Sequence, residues 1–351
     1  MNLNHLLEQV VNLHASDLHM TVGLPPMARI HGEIVPLAED VLDKQILRGF
    51  VDATIPKNHL AAYENKGEAD YSYSIEHLGR FRVNAFHQKG NPALVMRSIP
   101  VDIPALATLG VPKELEEITN TPRGLFLVVG PTGSGKSTTL ASMLDIINTN
   151  KACHIVTVED PIEYMHNHKK SIVNQREVGN DTEAFATALR SVLRQDPDVI
   201  LVGEMRDLET MATAITAAET GHMVFATLHT NSAAQTVDRI IDVFPPHQQP
   251  QIRAQLAAVL QGILVQQLLP HKDGQRRVVA TEYMYINPAA RNLIREGKTH
   301  QLNSVIQTGS RQGMHTMDMS LKRLVAEGAL SVEVALQKAG DRESLQRMLG
   351  V

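Results

Sequence analysis

The chain of 351 residues has one cysteine, Cys153, and no tryptophan; Phe and Tyr together make up only 4% of it. One thiol rules out an internal disulfide and any zinc site built from several cysteines. Scarce aromatics and a formal net charge of -5 argue against a surface that tracks a nucleic-acid backbone or stacks bases. No apolar run approaches the ~20 residues that a membrane span needs. The opening "MNLNHLLEQVVNLHASDLHM" has no basic segment followed by an apolar one, so it does not read as a signal peptide. No fixed-period repeat or low-complexity tract appears. Together these absences predict a cytoplasmic protein, for which any role at a membrane needs a partner to hold it there.

What is present is an ordinary globular composition, 43% hydrophobic and 20% charged, with a length that suggests two or three domains. In the first hundred residues Leu3, Leu6, Leu7, Val10 and Val11 fall on one helical face. "MARIHGEIVPL" (27 to 37) predicts two short strands about a His-Gly turn. In "GRFRVNAF" strand alternation puts Phe81, Val83 and Ala85 on one face and Arg80, Arg82 and Asn84 on the other. The segment 98 to 115 carries three prolines and one glycine across a composition shift. The expected organisation is an α/β module over 1–98, a linker over 99–112, and a larger domain over 113–351 whose last part, 289–351, is helical. Within that domain "LFLVV", "HIVTVE", "DVILVG" and "HMVFATL" alternate with helical stretches, the pattern of a parallel sheet covered on both faces. A hairpin is expected around Asp273-Gly274.

Chemistry enters at "GPTGSGKST", residues 130 to 138, with an apolar strand before it and a helix after it. This is G-x-x-x-x-G-K-[ST] in the context the pattern requires. Gly130, Pro131, Thr132, Gly133, Ser134 and Gly135 would curl so that backbone N–H groups face phosphate oxygens at the positive end of a helix. Lys136 would reach the β- and γ-phosphates of ATP, and Ser137, followed by Thr138, would ligate Mg²⁺. An acidic strand end follows in "RQDPDVILVGEMRD" (194 to 207), where Glu204 stands after Gly203 in place of the usual metal-organising Asp. A second, "VTVEDPIEY" (156 to 164), offers Glu159, Asp160 and Glu163. Glu204 and Glu163 are expected to divide metal organisation and water activation, with Glu204 the preferred base; sequence does not settle which does which.

"TGHMVFATLHTNSA" (220 to 233) adds His222 and His229 from a chain of sixteen histidines. Seven residues of extended strand span roughly 23 Å, and an odd offset sends the two rings to opposite faces, so a shared metal is disfavoured. A hydrogen-bonding role at the γ-phosphate suits His229 better, and His222 less clearly. For Arg80 and Arg82 a solvated basic strand face is the simpler reading, against an arginine supplied to a phosphate from outside the P-loop domain.

Taken in order, these four segments resemble the secretion ATPases of type II secretion and type IV pili, over essentially the whole chain. The resemblance is strongest to the type IV pilus retraction ATPases, the PilT-like branch. The chain opens almost directly on the small module, one cysteine cannot form the four-cysteine insert common in extension and secretion relatives, and "AARNLIREGKTHQLNSVIQTG" (289 to 309) is similar to the "AIRNLIRE" segment of retraction members, with Ala290 replacing its first isoleucine. That resemblance implies a PAS-like N-terminal domain, a RecA-like ATPase domain, ATP and Mg²⁺ in the cleft between them, and a homohexameric ring. It carries Lys136 and Ser137 over as phosphate and magnesium ligands, Glu163 and Glu204 as the acidic pair, and His222 and His229 as the histidine-segment residues. It also raises Arg82 and Arg97, and less firmly Arg80, as γ-phosphate contacts from the N-terminal domain. The implied partner is the polytopic platform protein of the inner membrane, with neither nucleic acid nor direct membrane insertion. Pilus extension, type II secretion, a non-catalytic ATP-binding ring subunit and a nucleic-acid translocase are the rival readings.

Overall fold

The computed structural model describes residues 1–30, 32–99 and 102–351. The expected turn residue His31, and Pro100 and Val101 of the expected linker, lie outside the described residues. The chain divides into two compact units, Met1–Asp102 with Glu163–Met165, and Ile103–Ile162 with His166–Val351.

The first unit opens with α1 (Leu3–Asn12), capped by the Asn2 side chain accepting from the Asn4 N–H, and buries Leu3, Leu6, Leu7 and Val10. Strands β1 (Asp17–Thr21), β2 (Met27–Ile30) and β3 (Glu33–Pro36) follow, then α2 (Lys44–Thr54) and α3 (Lys57–Lys66), then β4 (Glu68–Ile75), β5 (Gly79–Gln88) and β6 (Asn91–Ile99). They form one antiparallel sheet in the order β3-β2-β1-β6-β5-β4. Phe81, Val83 and Ala85 are fully buried beneath the helices, so the alternation in "GRFRVNAF" sorts its side chains as the sequence predicts.

The second unit contains α4 (Leu115–Thr119), β7 (Gly124–Val129), α5 (Lys136–Asn150), β8 (His154–Glu159), β9 (Ile172–Glu177), α6 (Phe185–Val192), β10 (Val199–Val202), α7 (Leu208–Glu219), β11 (Met223–Leu228), α8 (Ala233–Asp242), α9 (Gln249–Val259), β12 (Leu260–Pro270) and β13 (Arg277–Tyr285). Helices α10 (Pro288–Arg295), α11 (Leu302–Thr308), α12 (Met317–Ala326), α13 (Val332–Lys338) and α14 (Arg342–Leu349) complete it. The sheet order is β13-β12-β7-β11-β10-β8-β9, parallel except for the β12–β13 hairpin. Both faces are covered. Leu125, Leu127 and Val129 of β7 enter a core with α6 to α9 and the C-terminal helices, while Phe126 and Val128 enter another with α4 and α5. This is the mixed α/β class with a RecA-like P-loop sheet. Strand β7 has β11 and β12 as neighbours, so the chain leaving β7 crosses to β8 past two intervening strands. Such a reversal of strand order opens a crevice at the carboxyl ends of the strands.

Candidate functional site

At the carboxyl end of β7 the chain turns on three glycines in the left-handed half of backbone space, Gly130 (φ 146°), Gly133 (φ 76°) and Gly135 (φ 89°). Gly135 is the N-cap of α5 and offers no side-chain cap. The first N–H groups of that 15-residue helix therefore face outward unpaired by the helix itself, an arrangement suited to an anion. Lys136 is buried, and its ammonium donates to the carbonyls of Gly130 (2.8 Å) and Pro131 (3.0 Å), drawing the curl around itself. The Ser134 hydroxyl is buried within the same curl with no hydrogen-bond partner, a polar atom waiting for an acceptor. Pro131, Thr132 and Gly133 are exposed at the tip, and Ser137 and Thr138 are half-buried in the first turn of α5. A phosphate chain fits these groups, and the Ser137 hydroxyl is an oxygen donor of the kind a hard cation takes.

Two strands across the sheet, roughly 10 Å at ordinary strand spacing, β10 ends one residue before Gly203 and two before Glu204. Glu204 is mostly buried; Arg206 Nη2 lies 2.6 Å from one carboxylate oxygen and His229 Nε2 3.3 Å from the other. Burial pushes the Glu204 carboxyl up, but the Arg206 hydrogen bond and the charges of His229 and Arg206 outweigh it, leaving the group below its ordinary range. The parallel register Val202↔Ala226 brings these two strand ends together, so Glu204 and His229 meet although 25 positions apart. Gly203 stands where a side chain would press on β8: a Cβ there would sit 3.2 Å from both Glu159 Cα and Val158 O. The acidic group beside that glycine is Glu159, buried and accepting from Thr157 (2.7 Å) and Gln175 (3.2 Å).

The remaining candidates are placed elsewhere. Glu163 is exposed and belongs with Tyr164 and Met165 to the first compact unit, so the ATPase unit alone does not contain the expected acidic pair. His222 precedes β11, where its carbonyl accepts from the Gly124 N–H at the start of β7, the far end from the P-loop. Six residues of strand separate it from His229, on the order of 20 Å. Its Nδ1 lies 2.9 Å from Ala217 O and 3.3 Å from Thr220 Oγ1, a local helix-end closure. In the first unit Arg82 and Arg97 are register partners on β5 and β6, and Arg97 is in turn opposite Asp17 on β1. Arg97 Nε donates to Asp17 at 2.8 Å, whereas Arg82 is exposed on the same sheet face and Arg80, two residues along it, is half-buried.

Sequence reasoning passed over Arg206 and Gln266. Arg206 stands two residues after Glu204, where "EMRD" looks like a solvated charge cluster. Gln266 is 3% exposed in β12 and its Oε1 accepts from Thr139 of α5 at 2.9 Å. Its signal was a polar pair inside the apolar run "GILVQQLL". In the AARNLIRE helix Ala290 and Ile294 are buried and Leu293 is half-buried, and Arg291 is not free in solvent. Its guanidinium donates to the carbonyls of Ala257 and Ala258, closing the C-terminal end of α9.

Residues 75–346 match the family described as Type II/IV secretion system protein. A Pseudomonas aeruginosa protein named type IV pilus retractation ATPase PilT is 49% identical over 339 residues, 97% of this chain and 98% of its own. A twitching motility protein of Neisseria gonorrhoeae is 48% identical over 320 residues, 91% of this chain and 86% of its own. The crystal structure of the pilus retraction motor PilT with bound ADP matches at a TM-score of 0.91 and 47% identity, covering 99% of each chain.

Proposed function

Since the chain belongs to the type II/IV secretion system protein family, we propose that it is an ATP-hydrolysing motor that retracts type IV pili. The observation that carries this reading is the P-loop cradle beside the Glu204–His229 pair, in a chain that matches a retraction ATPase along nearly its whole length. An ADP-bound relative of the same fold supports nucleotide as the ligand.

Within the ATPase unit, the N–H groups at the start of α5 and the Lys136 ammonium hold the phosphates, and the Ser134 hydroxyl gains the acceptor it lacks. Ser137 would hold magnesium, with Glu204 and Glu163 as the proposed acidic pair for it, and the ion would supply positive charge against the phosphates. Glu204, kept ionised by Arg206 and His229, orients the attacking water and takes its proton. His229 reports phosphate state through its bond to Glu204, whereas His222 closes the opposite strand end and takes no part within its own subunit. Arg82, Arg97 and Arg80 are the guanidinium groups we propose as γ-phosphate ligands.

The working form is a homohexameric ring docked on the platform protein at the inner membrane. Among the described residues no helix is long and apolar enough to cross a membrane. The exposed side of α10, with Arg295 and Glu296, is the surface we assign to that contact.

The test is deletion in the source organism with pili counted and surface motility tracked. Excess pili on immobile cells are expected. Bald cells would reverse the direction of the motor and make it an extension ATPase.

A further inference from the structure

We infer that Gln266 is a positioning residue for the P-loop, one that grips both feet of the phosphate curl and thereby sets nucleotide affinity. The inference rests on the nucleotide reading of that loop.

Strand β12 runs parallel to β7 with Val265 opposite Val129, so the chain delivers Gln266 beside Gly130, the first residue of the curl. There the two backbones approach so closely that a Cβ on Gly130 would lie 2.2 Å from the Gln266 carbonyl oxygen. At the other foot a Cβ on Gly135 would lie 2.8 Å from Gln266 Nε2. Gly133, at the tip, has nothing within 4 Å. The loop is therefore clamped where it leaves the strand and where it enters the helix, and open where it faces ligand. A single residue makes both clamps, with its backbone at one foot and its carboxamide at the other.

The carboxamide is itself fixed. Oε1 accepts from Thr139 Oγ1 at 2.9 Å, and Thr139 is fully buried in the first turn of α5. Gln266 is 3% exposed and shares its strand face with Leu264 and Leu268, so an apolar side chain would be the less costly occupant on burial grounds. A carboxamide is worth its desolvation there only through the bond it makes. That bond joins β12 to α5 across the base of the curl, and it holds the N–H groups of α5 at a fixed angle to the loop.

Calorimetric titration with ADP and magnesium, on full-length protein, tests this with four forms: wild type, Gln266→Leu, Thr139→Val and the double variant. One neutral hydrogen bond is worth roughly five- to tenfold in an equilibrium. Each single change is expected to weaken ADP binding by about that factor, and the double variant by no more than either alone, because both delete the same link. KM for ATP should rise in step while kcat falls by less, and thermal melting without nucleotide should show a folded protein. ADP affinity within twofold of wild type in the single variants, or losses that multiply in the double, would overturn the inference. If Gln266→Leu does not fold, Thr139→Val, which removes only a hydroxyl, decides by the same criterion. Wild-type protein that binds no ADP would overturn the nucleotide reading and leave this clamp as a folding element only.

Discussion

The two edges of the seven-stranded sheet are built from similar residues and do different things. At the carboxyl edge, charged side chains meet one another or wrap the chain around a ligand space: Glu204 with Arg206 and His229, Lys136 with the P-loop carbonyls. At the amino edge, polar side chains close the backbone's own loose ends: His222 onto Ala217 O, His154 onto Gln195 O, Asp198 onto the His154 N–H, Gln261 onto Arg123 O. The difference follows from handedness. Each connection from a parallel strand to a helix starts that helix at the carboxyl edge, so α5, α7 and α8 all present positive N-terminal ends there. That edge can therefore hold anions, and the amino edge receives helix C-termini, whose carbonyls attract donors and little else.

Removing charge at each edge is the strongest way to break this comparison. Glu204→Gln keeps the volume and loses the anion, and it should lower ATP turnover by about 10²-fold or more while ADP still binds. Asp198→Asn at the amino edge retains an acceptor for the His154 N–H and should cost less than about threefold, because the bond it keeps is structural. Phosphate release from the two purified variants decides. Equal losses would mean that the carboxyl edge is not where hydrolysis happens.

Legibility in the sequence followed the same division. The P-loop could be read directly because its glycines dictate backbone geometry locally, and β7, β10 and β11 because strands buried on both faces read as continuous apolar runs. The run from Ile252 to Leu269 could not be divided by eye. It passes from helix α9 into strand β12 at Leu260, where the backbone turns extended, and Arg291, far along the chain, donates to the carbonyls left open at that helix end. Strand β9 was missed because it is an edge strand with an exposed Ile172 and an alternating polar pattern. Glu204 was found as a strand end, but its contact with His229 depends on strand order, which spacing along the chain does not encode. For the two histidines the spacing along the chain could not say which strand end would lie beside the P-loop. Glu163 shows the limit most clearly, since the short segment Glu163–Met165 groups with the first compact unit while the chain on either side of it, up to Ile162 and from His166, belongs to the second.

Those two histidines sharpen the comparison at intermediate size. His229→Ala deletes a donor to the carboxylate of Glu204 and should lower turnover by roughly tenfold. His222→Ala deletes a ring that closes a helix end and should change turnover by less than about twofold, with a small loss of melting temperature. Steady-state rates at saturating ATP separate the two. A loss at His222 as large as at His229 would mean that the amino edge takes part in the reaction through a neighbouring copy of the chain.

The smallest effect lies in the pH response of Glu204. Its ordinary value is 4.5; burial alone would raise it, and the Arg206 hydrogen bond together with His229 brings it below that value. A carboxyl depressed in the folded state contributes stability that is complete above its ordinary pKa and is lost as pH falls through the lower folded value. Arg206→Ala leaves the burial and removes the larger compensation, so the Glu204 titration should move upward, seen as a higher midpoint in a carboxyl-detected NMR titration. Because the Arg206 side chain is 65% exposed, the stability at stake near pH 7 is less than about 1 kcal/mol. High salt should shrink the difference between wild type and variant, since an exposed guanidinium is screened while the buried carboxyl's desolvation is not. An unchanged midpoint would show that Arg206 rests against Glu204 without holding its charge, and His229 would then be the group that keeps this edge anionic.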